Sequence, residues 1–437
     1  MPPHYPFQIG DDIDLSIINV SGQGLGFGFY EGFKIFVPLT LKDERINATI
    51  ETITSKFIRA RCNKRLIQSP QRATPPCPHF GTCGGCQLQH LTSQGYTALK
   101  QQWVAESINR AGFSTAAILP LYEVGLAKRR RVVFKITQTD GQFQLGFFQE
   151  STHHVVDIHT CLIVKEPLLT YALALKEWLP HLECGAAIDE IHLTYHASAN
   201  VMDVIFHAHV ALSSHDKKTI TDRCATLHHR QRLTWQSKHT TITIQDYPVT
   251  LTLGDAEVSV PPLAFLQATH EAQTVMTDFI MRTLASLPAA SLVYDLYSGC
   301  GTFSFPLLQA GFTVMAIEGS ADMVFAMKQA LSHMDPLHHR SLKALKQDLY
   351  HMPVAATKLK EAKAIVINPP RNGAGPQIQE IAHSHVPHVI LVSCSLSSLE
   401  RDSHSLKEAG YRLESLLAID QFYWTRHTES IAYFYRP

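Results

Sequence analysis

The sequence predicts an α/β protein: a doubly wound, Rossmann-like sheet in the C-terminal part, an OB-like β-barrel at the N-terminus, and a central, mainly β (α+β) region between them. Three observations carry this expectation. Apolar, β-branched runs at residues 292–295, 313–318, 364–368 and 389–394 alternate with helix-like stretches, which is the pattern of parallel strands joined by crossover helices. Short period-two segments separated by glycine-rich turns fill residues 8 to 66. The length, 437 residues, exceeds one ordinary core and implies two or three domains.

Composition narrows the class. Hydrophobic content of 45% and charged content of 17% fit a soluble globular chain. Lys+Arg and Asp+Glu each number 38, so no global basic field attracts a polyanion, and any nucleic-acid contact must come from local patches. The 25 histidines can add positive charge below neutral pH. No apolar run approaches the ~20 residues of a membrane span. Met1-Pro2-Pro3-His4-Tyr5-Pro6 lacks a basic-then-apolar leader, so a cytoplasmic location is expected. Nine cysteines there should be reduced, and their close spacings point to metal binding or catalysis.

In chain order, Ile13-Asp14-Leu15-Ser16-Ile17 alternates as a strand, residues 22–28 form a glycine-rich turn, residues 33–38 a strand, and residues 49–53 and 57–61 a hairpin. Small barrels of this kind bind single-stranded nucleic acid or serve as spacers. Next, Cys77-Pro78-His79-Phe80-Gly81-Thr82-Cys83-Gly84-Gly85-Cys86 brings three thiols together with glycines between them, a pattern suited to zinc or an iron–sulfur cluster. The fourth ligand is Cys161, His79 or His90; Cys161 is preferred, because four thiolates suit a cubane cluster. Tyr96, Leu99 and Trp103 mark a helix ending near Gly112. The run Lys128-Arg129-Arg130-Arg131 is either a phosphate grip or a solvated edge strand. Residues 132 to 254 read as mostly β, with Cys184 and Cys224 structural.

Beyond Pro261-Pro262 a helix carries Ala272, Val275, Met276, Phe279, Ile280 and Leu284 on its apolar face. The first strand of the alternating region runs into Asp295-Leu296-Tyr297-Ser298-Gly299-Cys300-Gly301-Thr302-Phe303, an acidic residue and a G-x-G turn opening a helix. The third glycine of a dinucleotide fingerprint and a phosphate-binding lysine are both missing. Glu318, at the next strand end, is placed to accept from both ribose hydroxyls, so S-adenosylmethionine fits better than a dinucleotide. Asp348 is either a contact for the adenine amine or a solvated surface acid. Asn368, before Pro369-Pro370-Arg371, reads a base edge, touches the cofactor or simply forms a turn.

The run Val389-Ile390-Leu391-Val392-Ser393-Cys394 ends at the lip of the sheet, where ligands bind in open α/β folds. Cys394 is a nucleophile or a buried structural thiol. In Asp420-Gln421-Phe422-Tyr423-Trp424-Thr425-Arg426-His427-Thr428-Glu429-Ser430, Glu429 is a general base or a salt-bridged glutamate.

Over nearly its whole length the chain resembles the class I uracil-C5 RNA methyltransferases of the 23S rRNA type. The N-terminal unit, with Phe36-Val37-Pro38 and Asp43-Glu44, is similar to their TRAM domain. Cys83-Gly84-Gly85-Cys86-Gln87-Leu88-Gln89-His90 is the most specific match. The resemblance implies a 4Fe–4S cluster on Cys77, Cys83, Cys86 and Cys161, and an S-adenosylmethionine site at Gln267, Tyr297, Thr302, Glu318, Asp348 and Asn368. It makes Cys394 the nucleophile and Glu429 the base. It also implies a TRAM domain at residues 1–66, a cluster-bearing central domain at 67–90 and 125–255, and a methyltransferase domain at 91–124 and 256–437. The implied protein is a monomer acting on 23S rRNA, with no membrane partner. The family's chemistry joins the two candidates: a thiolate adds to uracil C6, C5 then takes a methyl group, and a base removes the C5 proton. The target base must leave its stack to be reached.

Four positions depart from the family pattern: Asn368 where aspartate is usual, Ser395 and Thr269 where asparagine is usual, and Ser298 where cysteine is common. They leave activity in place and put base contacts or target choice in question. Methylation of tRNA uridine, methylation of RNA cytosine, and a drifted non-catalytic RNA-binding protein are the competing readings. The cytosine reading lacks the carboxylate expected at position 368 to meet the N4 amine.

Overall fold

The computed structural model describes residues 5–437, apart from the side chains of residues 337, 339 and 340. The reading of Met1-Pro2-Pro3-His4 as free of a targeting leader lies outside the described residues. The chain divides into two compact units. The first takes in the chain up to Trp103 with Phe148–His154 and Trp424–Arg426; the second comprises Val104–Phe147, Val155–Tyr423 and His427–Pro437.

In the first unit, six strands form one curled sheet in the order Asp12–Ser16, Arg45–Ile53, Ile58–Ile67, Phe33–Pro38, Leu25–Tyr30, Asn19–Val20. Strict alternation drives it: Ile13 and Leu15 are buried while Asp12, Asp14 and Ser16 face solvent. Most of the glycine-rich stretch predicted as a turn is strand, and its glycines answer to packing. A Cβ on Gly26 would lie 2.1 Å from the Thr40 hydroxyl, and one on Gly28 would lie 2.2 Å from the Ser16 carbonyl oxygen. The predicted hairpin is present as Arg45–Ile53 paired antiparallel with Ile58–Ile67. Glu44 is fully buried beneath the sheet, where its carboxylate accepts from Arg72 Nε (2.5 Å), Arg72 Nη2 (2.9 Å) and the Leu41 amide (2.9 Å). Burial pushes its pKa up, but the Arg72 bonds and backbone donors outweigh that and hold it below the usual glutamate value.

The second unit contains two large sheets. One has seven strands, in the order Val155–Asp157, Gln142–Phe148, Arg131–Thr139, Ile188–His196, Val201–Ala208, Arg230–Gln236, Thr241–Gln245. Two helices, Glu166–Trp178 and Ser214–Cys224, accompany it and supply the helical part of the α+β region. Cys184 and Cys224 are buried in its core, as expected of structural thiols.

The other sheet has eight strands, in the order Leu342–Lys346, Thr313–Glu318, Leu292–Leu296, Ala364–Ile367, His388–Ser393, Glu429–Tyr435, Arg412–Asp420, Tyr122–Glu123. The first five are parallel, and Glu429–Tyr435 runs antiparallel to both neighbours. Alternate residues of each central strand enter different cores. Val293, Val366, Ile390 and Val392 pack with helices His270–Leu284, Ser304–Gln309 and Ala321–Ser332. Tyr294, Ile365, Ile367, Val389 and Leu391 pack with Pro376–Ser384 and Leu396–Glu408. Helices thus cover both faces of the sheet, the doubly wound arrangement that places sites at the carboxyl ends of the strands. No helix among the described residues is long and apolar enough to cross a membrane.

Candidate active site

The strand Leu292–Leu296 is followed at once by a residue in strained conformation. Tyr297 has φ +61°, uncommon for a bulky side chain. Its hydroxyl donates to the Ala374 carbonyl at 3.4 Å. At Gly301, φ is +89° and an added Cβ would lie 2.7 Å from the Phe305 ring, so the turn requires glycine there. Thr302 follows, half-buried in the same turn. Glu318, at the end of the next strand, has both oxygens fixed by backbone donors: Gly299 N at 2.9 Å and Ser320 N at 2.8 Å. Asp295 is wholly buried. Ser304 Oγ donates to its Oδ2 at 2.5 Å, while Oδ1 has no partner among the described residues. Burial pushes its pKa up to about 7. An oriented strand-end carboxylate and an orphaned buried acid oxygen beside a tight glycine turn suit a nucleoside cofactor with a cationic tail.

Asp348 stands within reach of the site: burial, then the Asp348 charge, pushes the Tyr297 hydroxyl up to about 12. Asp348 itself is exposed, and its carboxylate accepts from the Tyr350 and His351 amides (3.0 and 3.3 Å) and from His351 Nδ1 (2.8 Å). The bond from His351 holds it below the usual aspartate value. Asn368 is half-buried just past the end of Ala364–Ile367, its backbone N–H donating to the Leu296 carbonyl at 3.1 Å. The loop after it is held by one helix, Leu396–Glu408. Ser398 Oγ donates to the Arg371 carbonyl (2.7 Å), Arg401 Nη2 to the Asn372 carbonyl (2.6 Å), and the Ala374 amide to Asp402 Oδ2 (2.8 Å).

Cys394 follows the last residue of His388–Ser393 and sits two residues ahead of that helix. Ser393 pairs with Ser430 across the antiparallel junction, so one further step of register sets Cys394 opposite Glu429. Burial, then the Glu429 charge, pushes the Cys394 thiol up to about 11, while Arg371 acts in the opposite sense. Glu429 is itself buried, which pushes it up to about 7. Its Oε2 accepts from Gln421 Nε2 at 2.6 Å. The same amide nitrogen donates to Gln267 Oε1 at 3.0 Å, and Gln421 Oε1 accepts from the Ala268 amide at 3.1 Å. Thiol, carboxylate and the Gln267 loop therefore meet at one end of the sheet. Arg371 also lies against the His427 ring, Nη2 standing 3.1 Å from Nε2.

A family model described as tRNA (Uracil-5-)-methyltransferase matches residues 128–436. The chain belongs to this family. It is 33% identical over 432 residues to a protein named "Uncharacterized RNA methyltransferase" in Caulobacter vibrioides, covering 97% of this chain and 100% of that one. It is 30% identical over 433 residues to the 23S rRNA (uracil(1939)-C(5))-methyltransferase RlmD of Pseudomonas entomophila, covering 98% and 94%. The Pyrococcus abyssi tRNA (uracil-54, C5)-methyltransferase, solved with S-adenosyl-L-homocysteine, superposes with a TM-score of 0.73 at 19% identity over 96% of this chain and 99% of that one, a likeness of fold. As a member of the tRNA (uracil-5-)-methyltransferase family, the chain is an S-adenosylmethionine-dependent RNA methyltransferase.

Within this uracil-C5 methyltransferase, two of the four cations at 128–131, Arg130 and Arg131, turn inward and neither grip a phosphate nor line a solvated edge. Arg130 is buried; its Nε donates to the Gln267 carbonyl (3.0 Å) and its Nη2 to Gln273 Oε1 (2.7 Å). Arg131 Nη1 donates to the Leu266 carbonyl at 2.8 Å. Lys128 pairs with Glu271 at 3.0 Å. The strand Arg131–Thr139 has a neighbour on each side. Arg130 and Arg131 hold the Gln267 loop, and only the alternation of apolar residues after them hinted that they turn inward. Gln421 and Arg130 are the residues the sequence reading did not place in the site.

The cysteine-rich segment lies in the first unit. Cys83 N donates to the His79 carbonyl (2.8 Å), Gly84 N to the Phe148 carbonyl (2.9 Å), and Gly85 N to Cys83 Sγ (3.4 Å). A Cβ on Gly84 would stand 2.6 Å from the Phe148 oxygen, so that position must stay bare. His90 is buried with neither ring nitrogen bonded among the described residues, and burial, then the Arg72 charge, pushes it down to about 3. Cys161, in the second unit, is half-buried against the core of the seven-stranded sheet. All nine cysteines are thiols rather than disulfides. Among the described residues, no three His, Cys, Asp or Glu side chains are gathered as an ion site. The thiol donor set is of the kind that holds an iron–sulfur cluster.

Proposed function

We propose that this methyltransferase transfers a methyl group from S-adenosylmethionine to C5 of one uridine in 23S rRNA, with Cys394 as nucleophile and Glu429 as base, acting as a cytoplasmic monomer. The juxtaposition of Cys394, one residue past its strand, with Glu429 at the start of the paired strand carries the reading. Gln267, Tyr297, Thr302, Glu318, Asp348 and Asn368 hold the cofactor, which supplies an electrophilic methyl on sulfonium. The Cys394 thiolate adds to uracil C6 and leaves C5 enolate-like and able to take that methyl. Glu429 then accepts the C5 proton. The C–H pair restores the C5–C6 double bond, and the C6–S bond breaks back to the Cys394 thiolate. Closeness to the 23S rRNA enzymes in sequence favours ribosomal over transfer RNA.

On the same resemblance, residues 1–66 act as a TRAM domain for RNA, 67–90 with 125–255 form the central domain, and 91–124 with 256–437 the methyltransferase domain. Cys77, Cys83, Cys86 and Cys161 hold a 4Fe–4S cluster that positions chain and RNA rather than moving electrons. Iron and sulfide analysis of protein purified without oxygen checks the last point; a colourless, zinc-containing product would overturn it.

The test of the reaction is transfer of labelled methyl from S-adenosylmethionine to unmodified ribosomal RNA, followed by nucleoside identification. Labelled 5-methyluridine that vanishes in Cys394→Ala is the expected result. Label only in transfer RNA would move the target, and label in 5-methylcytidine would overturn the base assignment.

A further inference from the structure

We propose that Gln421 is a positioning residue that fixes which oxygen of Glu429 receives the C5 proton and ties that carboxylate to the cofactor loop through Gln267. The inference rests on the reading of Glu429 as the base.

The orientation of Gln421 is dictated by its partners. The Ala268 backbone amide can only donate, so the atom 3.1 Å from it must be the Gln421 carbonyl oxygen. The Gln421 NH2 group therefore faces the other two partners, Glu429 Oε2 at 2.6 Å and Gln267 Oε1 at 3.0 Å. A flipped amide would set oxygen against oxygen twice and N–H against N–H once. Gln421, Gln267 and Glu429 are each buried to within a few per cent, so water cannot easily replace any of these bonds.

Two consequences follow. First, Glu429 Oε2 faces a group that can only donate, so a proton cannot sit on Oε2 along that line. With one lone pair of Oε2 already taken by that donor, Oε1 is the more basic oxygen and the one assigned to the C5 proton, and the donor on Oε2 favours the ionised base that must exist beforehand. Second, Gln267 is committed as an acceptor toward Gln421, which leaves its NH2 as the end available to a ligand. A bound cofactor that draws on Gln267 thus acts on the group holding the base. In atoms, the C5–H bond breaks, its proton passes to Glu429 Oε1, its electron pair forms the C5–C6 double bond, and the C6–S pair returns to Cys394.

The experiment compares wild type, Gln421→Met and Glu429→Gln in single turnovers with unmodified ribosomal RNA and labelled S-adenosylmethionine, separating protein-linked RNA from released product across pH 5.5–9. In Gln421→Met, methyl transfer into protein-linked RNA is expected to persist while release slows by about 10- to 100-fold, the loss of one hydrogen bond to a charged group. The pH limb of release should also move upward, which a merely structural role would not cause. Should Gln421→Met fail to fold, Gln421→Asn, one methylene too short to span the three partners, serves the same comparison. Release within twofold of wild type with an unmoved pH limb would overturn the role of Gln421. Release at the wild-type rate in Glu429→Gln, or product formed by Cys394→Ala, would instead sink the underlying assignment of base and nucleophile.

Discussion

Cys394 needs its thiolate, yet burial and the Glu429 charge push its pKa up to about 11, so at neutral pH the resting side chain is a thiol. Two neighbours bear on that equilibrium in opposite directions. Glu429→Gln removes the anion opposite the thiol, and the variant should react several-fold faster with iodoacetamide at pH 8 than wild type does. Equal alkylation rates would show that the two groups are not coupled. Arg371 lowers the thiol's pKa, so Arg371→Ala should slow formation of the covalent RNA adduct and move its dependence to higher pH. An adduct rate unchanged at pH 7 would remove Arg371 from the site. For release the sign is fixed by the base: Glu429, at about 7, must be deprotonated to act, so release should rise with pH up to roughly neutrality and then level off.

Helix starts and one inward-facing cationic strand shape the site at the scale of elements, and here the sequence was only partly legible. The strands ending at Glu318, Asn368 and Cys394 could be read from β-branched runs, and they do end where ligands bind. Glu429 was visible as an acid ahead of an apolar strand, but its partner Gln421 was not, because an amide carries no charge pattern and its three bonds come from segments up to 154 positions away. Arg130 misled for the opposite reason: a cluster of four cations looks like a polyanion site, whereas carbonyl oxygens of a distant loop draw it inward. Two departures from the family pattern find a simple account. Thr269 caps the helix His270–Leu284 by accepting from the Ala272 amide (3.1 Å), and Ser395 caps Leu396–Glu408 by accepting from the Ser398 amide (3.4 Å). Asparagine caps equally well, so Ser395→Asn should leave stability nearly unchanged while Ser395→Ala costs about 1 kcal/mol. Matched denaturation midpoints for the two variants would contradict the capping role. Arg130→Met strands the Gln267 carbonyl and Gln273. It should raise KM for S-adenosylmethionine about tenfold and destabilise by roughly 2–4 kcal/mol; a change in RNA affinity alone would restore the phosphate-grip reading.

Across the whole molecule, buried ionisable groups set a pH dependence whose parts have opposite signs. His90 and His196 are each pushed down to about 3, chiefly by burial, and so are neutral in the folded chain. Below their ordinary value of about 6.5 the unfolded chain takes up protons that the folded chain refuses, so these histidines destabilise as pH falls. Asp295 and Glu429 behave inversely. Burial raises both to about 7, so between about pH 4 and 7 the folded chain holds protons the unfolded chain has already lost. Their contribution is harmless below about pH 4, grows as pH rises, and is fully adverse above about 7, on the order of 2–4 kcal/mol for each group. Because the histidines mask this in the total, the informative quantity is a difference between variants. Glu429→Gln keeps an oxygen for Gln421 to bond and removes only the titration. Its melting temperature should match wild type near pH 4.5, exceed it by roughly 5 °C at pH 8, and show most of that gain between pH 5 and 7. A difference independent of pH would mean that Glu429 is ionised in the folded chain throughout, and the release step would then lose its neutral pH limb as well.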